Sequence, residues 1–163
     1  MRRFVILCLA FSSAAVAAAA APSRLIVAGG SWASFDRGAA CEALARPVAP
    51  PRRREGQAHV ALAFDRGGPR QGQLFVRLRR PVRPGSSVML VVGSQPFQLL
   101  ARGTSAWSRD AAQEAAILAA LRAAGGLRVT ARDASGRRMT DRYLLAGAPT
   151  AIDAAAAACS LPR

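Results

Sequence analysis

The stretch "HVALAFDRGGPRQGQLFVRLRR", His59 to Arg80, carries a two-residue period twice. Val60, Leu62 and Phe64 fall on one side of an extended chain. Leu74, Val76 and Leu78 repeat the pattern, with Arg77 and Arg79 on the opposite side. Side chains of a strand alternate between its two faces, so both runs predict strands with one dry and one wet face. The glycines and proline of "RGGPRQG" between them predict a turn. Two amphipathic strands joined this way belong to an antiparallel sheet.

Working outward, "RPVRPGS" turns the chain, "SVMLVV" runs back, and Gly93 to Pro96 lead into "FQLLA". On the N-terminal side, "RLIVAGGSWASF" (Arg24 to Phe35) reads as one or two short strands interrupted by Gly29 and Gly30. "CEALARPV" reads as another that ends at Pro47. "APPRRREGQ", residues 49–57, is an Arg/Pro-rich loop; its bland reading is a solvated, mobile charged segment, and its sharper one is an anion-binding loop using Arg52, Arg53 and Arg54.

Beyond the meander, "AAQEAAILAALRAA" predicts a helix capped by Ser108 or Asp110 and stopped at Gly125-Gly126. Ile117, Leu118 and Leu121 form a stripe wide enough to dock on a sheet. "LRVTARDASGRRMTDRYLL" is a hairpin with Gly136 in its turn, and Met139, Tyr143 and Leu145 alternate with polar positions. The closing "GAPTAIDAAAAACS" predicts a short helix in which Ile152, Ala155, Ala156 and Cys159 share a face. Thr150 and Asp153 there resemble a capping box. The expected fold is mainly β: an antiparallel β-sandwich with one internal helix, a short C-terminal helix and one disulfide.

The chain has 163 residues. Residues 1–21 read as a cleaved signal peptide, with two arginines, an apolar run from Phe4 to Phe11 and small residues offering cleavage near Ala20 or Ala21. That run is short for a membrane span, and no second apolar run follows. Residues 22–163 then form a single domain in the periplasm or outside the cell. Removing the leader leaves Cys41 and Cys159, and an even pair in an exported chain argues for a disulfide.

The net charge is +14, two less once Arg2 and Arg3 depart. Every basic side chain other than His59 is arginine, and the chain lacks lysine and asparagine. Such a skew is what GC-rich coding produces, and an exported chain seldom meets nucleic acid, so no nucleic-acid partner is expected. A basic surface still favours anionic envelope components or acidic proteins.

Candidate chemistry is sparse. A zinc site needs three or four ligands, and the mature chain offers His59 and two distant cysteines, so no metal or cofactor is expected. Cys41 with His59 could pair as thiol and base, but in an oxidising compartment the disulfide outweighs it. Carboxylates for hydrolysis would come from Asp36, Glu42, Asp65, Asp110, Asp133 and Asp141. Asp141 stands mid-strand, where aspartate is disfavoured, and an ion pair with an arginine is the bland account. Trp32, Trp107 and Phe97 read as core or rim packing.

Taken in order, "GGSWASF", Cys41, "LFVRLRRPVRPGSSVMLVV", "QPFQL", the short helix and "GRRMTDRYLLAGAPTAIDAA" resemble the invasion-associated locus B family of exported bacterial proteins. The similarity spans about residues 30–159. The cysteine pair that family members often carry after the "PF" segment is absent here. The resemblance implies a role at the bacterial envelope or in host invasion and brings no catalytic residues. The expectation is a non-enzymatic binding or envelope-associated protein. The alternative is an envelope-polymer hydrolase with a carboxylate site not visible in sequence. A cleft lined by Asp or Glu would favour the hydrolase, and a basic or aromatic patch the binder.

Overall fold

A computed structural model describes residues 23–160; the proposed signal peptide lies outside the described residues. Ten strands and two helices follow one another: β1 (Arg24–Gly29), β2 (Trp32–Asp36), β3 (Ala40–Ala45), β4 (His59–Asp65), β5 (Gln71–Arg77), β6 (Val88–Val92), β7 (Gln95–Arg102), β8 (Ser105–Trp107), α1 (Ala111–Ala123), β9 (Gly126–Arg132), β10 (Arg138–Leu144) and α2 (Ala148–Ser160). The strands pair antiparallel in one ladder, ordered β1-β2-β3-β4-β5-β8-β7-β6-β9-β10.

The expected mainly-β architecture is what the chain forms, and the sandwich-like arrangement arises from a single sheet. β7 makes the corner. Its first half pairs with β6, from Gln95↔Val92 to Leu99↔Val88, and its second half pairs with β8, from Leu100↔Trp107 to Arg102↔Ser105. A strand that changes partners along its length is how a sheet turns onto a second layer.

Period-two alternation decides which side of each strand is buried. Cys41, Ala43 and Ala45 of β3 face inward beside Phe64, Leu62 and Val60 of β4, which in turn neighbour Leu74 and Val76 of β5. Val88, Leu90 and Val92 of β6 and Leu127, Val129 and Ala131 of β9 extend the same core.

α1 begins where Asp110 accepts a hydrogen bond from the Gln113 amide at 2.8 Å, the cap role expected for a short carboxylate. Its buried Ile117, Ala120 and Leu121 lie on the side packed over β5, β6 and β7. α2 lies across β1 to β4. Ala148, Ala151, Ile152, Ala155 and Cys159 are its buried residues, and the small alanines let the helix approach the sheet closely.

The expected capping box is not formed. α2 starts at Ala148, with the Ala151 amide bonded to Gly147 O at 3.0 Å. Pro149 fits that first turn because the amide it lacks has no intrahelical acceptor there. Asp153 instead pairs with Arg122 of α1 at 2.6 Å. The Cys41–Cys159 disulfide joins residues 118 apart in sequence across a Cα–Cα distance of 5.7 Å, locking α2 to the sheet. No helix among the described residues is long and apolar enough to cross a membrane.

The two ends of the ladder return to one another. Ser31 donates its amide to Ala146 O at 2.9 Å, Trp32 Nε1 donates to Leu144 O at 2.9 Å, and Val48 donates its amide to Arg142 O at 2.8 Å. Gly30 (φ +59°) and Gly147 (φ +87°) make the closure possible: a Cβ on Gly30 would collide with Ala146 O, and one on Gly147 with Gly29 O. Trp32, an expected core or rim residue, is thus a buried tie across this seam.

Candidate functional site

The partners of the carboxylates decide what positive charge is left over. The chain has nine, and all are engaged. Asp36 pairs with Arg24 and Arg66, Glu42 with Arg37, Asp65 with Arg70, Asp110 with Arg109 and Asp153 with Arg122. Glu55 is shared by Arg79 and Arg80, and Asp133 by Arg80 and Arg137. Asp141 receives Arg79 Nε, and Glu114 accepts from the Ser108 hydroxyl at 2.8 Å.

Several of these acids sit below the ordinary carboxylate range for local reasons. Asp65 is held down chiefly by the Arg70 guanidinium, and Asp133 by the Ser135 hydroxyl. Glu55 is held down by the Arg52 backbone amide. Hydrogen bonds to the ionised form favour it. Asp133 is a turn organiser: one oxygen accepts from the Ser135 and Arg137 amides at 3.0 and 2.9 Å while the other faces Arg80.

Arg79 resolves the two oddities seen in the sequence. Its Nε meets the inward-facing Asp141 of β10, and its Nη1 holds Pro50 O at 2.8 Å and Glu55 at 3.4 Å. The Arg/Pro-rich loop is therefore pinned from inside rather than loose. The side chains of Arg52, Arg53 and Arg54 remain exposed, and Arg52 shares a polar depression with Arg138 and Thr140.

Four of the arginines outside these ion pairs share the outer face of β9 and β10. The register sets Arg128 opposite Arg142, Thr130 opposite Thr140 and Arg132 opposite Arg138. All four arginines are exposed, and among the described residues none has a carboxylate within ion-pair distance. Arg132 only bonds Gly136 O, at 3.0 Å. Like charges directly opposed on an antiparallel pair are unfavourable, and here the arrangement occurs twice. The two pairs stand four residues apart along the strands, about 13–14 Å at the usual rise. A groove of about 460 Å3 runs between them, floored by Met89, Val91 and Thr130.

The same face becomes apolar towards the seam. Leu144 follows Arg142 on the outward side of β10, and its cross-strand partner is Gly126, which has no side chain to cover it. Gly93 lies beside Gly126, its amide bonded to Gly126 O at 3.0 Å. A depression of about 350 Å3 results, bordered by Val48, Leu144, Val91 and the Arg128–Arg142 pair. Val48 and Leu144 also border a larger depression of about 540 Å3 with Phe35, Leu44 and Pro47. From it an in-register row crosses the ladder on the same face: Ala33, Leu44, Ala61, Phe75, Trp107 and Leu100. Trp107 is half-buried in this row.

His59 lies against the Phe75 ring, 5.9 Å between centroids, and burial pushes its pKa down. The thiol–imidazole pair considered above is not formed, because Cys41 is bonded to Cys159. Alternation in "LRVTARD" and "RRMTDRYLL" already places Arg128, Arg132, Arg138 and Arg142 on outward positions. What the sequence does not display is that the register aligns them in pairs, nor that the segment after β3 brings Val48 beside them.

No protein-family model, curated protein or solved structure matches this chain.

Proposed function

We propose that the chain is an exported, non-catalytic binding protein of the bacterial envelope, akin in role to the invasion-associated locus B family, and that its β9–β10 face takes an anionic envelope component. The observation that carries this reading is the ladder of two in-register arginine pairs on a molecule whose carboxylates are all engaged elsewhere. Charge left uncompensated in a fixed array favours a partner that supplies the counter-charge. GC-rich coding accounts for the number of arginines but not for their alignment. A hydrolase of envelope polymers would need two carboxylates facing one groove. The grooves described above offer Glu55 alone, and it is held by Arg79 and Arg80. That favours binding over catalysis.

The test is titration of the purified protein with inorganic polyphosphate at about 50 mM and about 200 mM salt. Binding is expected at the lower salt and should weaken steeply at the higher. The double variant Arg128→Gln/Arg142→Gln should lose at least about fivefold in affinity, since each removed contact also removes released counter-ions. Unchanged affinity in that variant, with an unchanged melting curve, would assign the binding to another surface.

A further inference from the structure

We infer that the partner is a phosphate-bearing lipid, docked with its headgroup on the Arg128–Arg142 pair and its hydrocarbon over Val48 and Leu144; this rests on the anion-binding reading above. Three observations point the same way. Val48 and Leu144 are 63% and 52% exposed, and both stand at the seam where the ladder's ends meet. They border two apolar depressions at once, one of which contains the arginine pair. Arg142 and Leu144 lie two residues apart on the same outward side of β10, so charged and apolar halves of one ligand would be read within about 7 Å.

A soluble polyanion uses only the arginines and leaves this apolar ground wet. A neutral apolar partner leaves the guanidinium groups without counter-charge. An amphiphile with an anionic head satisfies both halves. Arginine favours it further, because a planar guanidinium matches phosphate oxygens bidentately and tolerates partial desolvation. Phe35, Pro47 and Leu44 extend the apolar side away from the charge, which suits a lipid lying at a bilayer surface rather than a small anion.

The experiment is flotation of the purified protein with vesicles of phosphatidylcholine alone and with about a third phosphatidylglycerol, beside the polyphosphate titration. The protein should float with anionic vesicles and stay behind with zwitterionic ones. Arg128→Gln/Arg142→Gln should weaken vesicle binding by about 10- to 30-fold. Val48→Ser/Leu144→Ser, at exposed positions that the core does not need, should weaken it by about tenfold while leaving polyphosphate affinity unchanged. Four results would overturn the lipid assignment. One is vesicle binding undiminished in Val48→Ser/Leu144→Ser. Another is equal flotation with zwitterionic vesicles. The third is a self-association lost in that same variant, which would give the apolar depressions beside Val48 and Leu144 to a second copy of the chain. Polyphosphate binding without flotation would also defeat it, while leaving the anion-binding face intact.

Discussion

Asp141 and Arg142 are neighbours with opposite fates, and the difference is one step of strand alternation. Asp141 points inward, 4% exposed, and meets Arg79, whose side chain is 10% exposed; Arg142 points outward beside Arg128. Arginine therefore serves two purposes in this chain. Arg79 organises the interior end of β10 and the residue 49–55 segment, whereas Arg128 and Arg142 present charge to the exterior. Removing one member of a buried pair leaves an uncompensated charge, at a typical cost of about 3–5 kcal/mol. Glu55 is still within reach of Arg79, so Asp141→Ala should fall near the lower end, about 3 kcal/mol in urea unfolding. Arg142→Gln should change stability by well under 1 kcal/mol, or raise it slightly by relieving like-charge opposition. Equal losses in the two variants would contradict this division of roles. The sequence exposed Asp141 as an anomaly, and the ion pair with an arginine was the natural expectation. It could not say which arginine, because Arg79 is 62 residues away.

Among the elements, the long alternating runs were the legible ones. His59–Asp65 is a strand over its whole length, since seven residues with apolar positions every second place admit little else. β8, three residues from Ser105 to Trp107, was not anticipated. "SAW" has no period to detect, and it is a strand only because β5 and β7 leave a place between them. The α2 start was misplaced by two residues for a related reason. Thr150 and Asp153 carry the right residue types, but the helix begins where Gly147 lets the chain pass under the Gly29–Gly30 turn. Gly147→Ala should therefore be costly. It would add a clash with Gly29 O to a left-handed backbone that alone disfavours a side chain by about 1–2 kcal/mol. A loss of more than about 2 kcal/mol is expected, with weakened protection of the Ser31 and Val48 amides from hydrogen exchange. Alanine at Gly67, also at positive φ but facing open space, is the control and should cost no more than the backbone preference.

The molecule as a whole is one ladder brought back on itself and held by a covalent clasp. The disulfide closes a loop of 118 residues, which the chain-entropy account values at about 4–5 kcal/mol. Cys41→Ser/Cys159→Ser should thus lower the melting temperature by about 10 °C or more, and a reducing agent should do the same to the parent protein. A melting curve indifferent to both would mean that packing of α2 on β1–β4 suffices by itself. What the sequence determined was local: period-two runs made strands, and alanine-rich runs made helices. Those properties follow from side-chain spacing within a few residues, which any window of the chain displays. The tertiary structure alone decided the turn of β7 from one layer to the next and the seam that sets Val48 beside Leu144 and the Arg128–Arg142 pair. These depend on hydrogen bonds between segments up to about a hundred residues apart, and no local pattern encodes which distant edge a strand will meet.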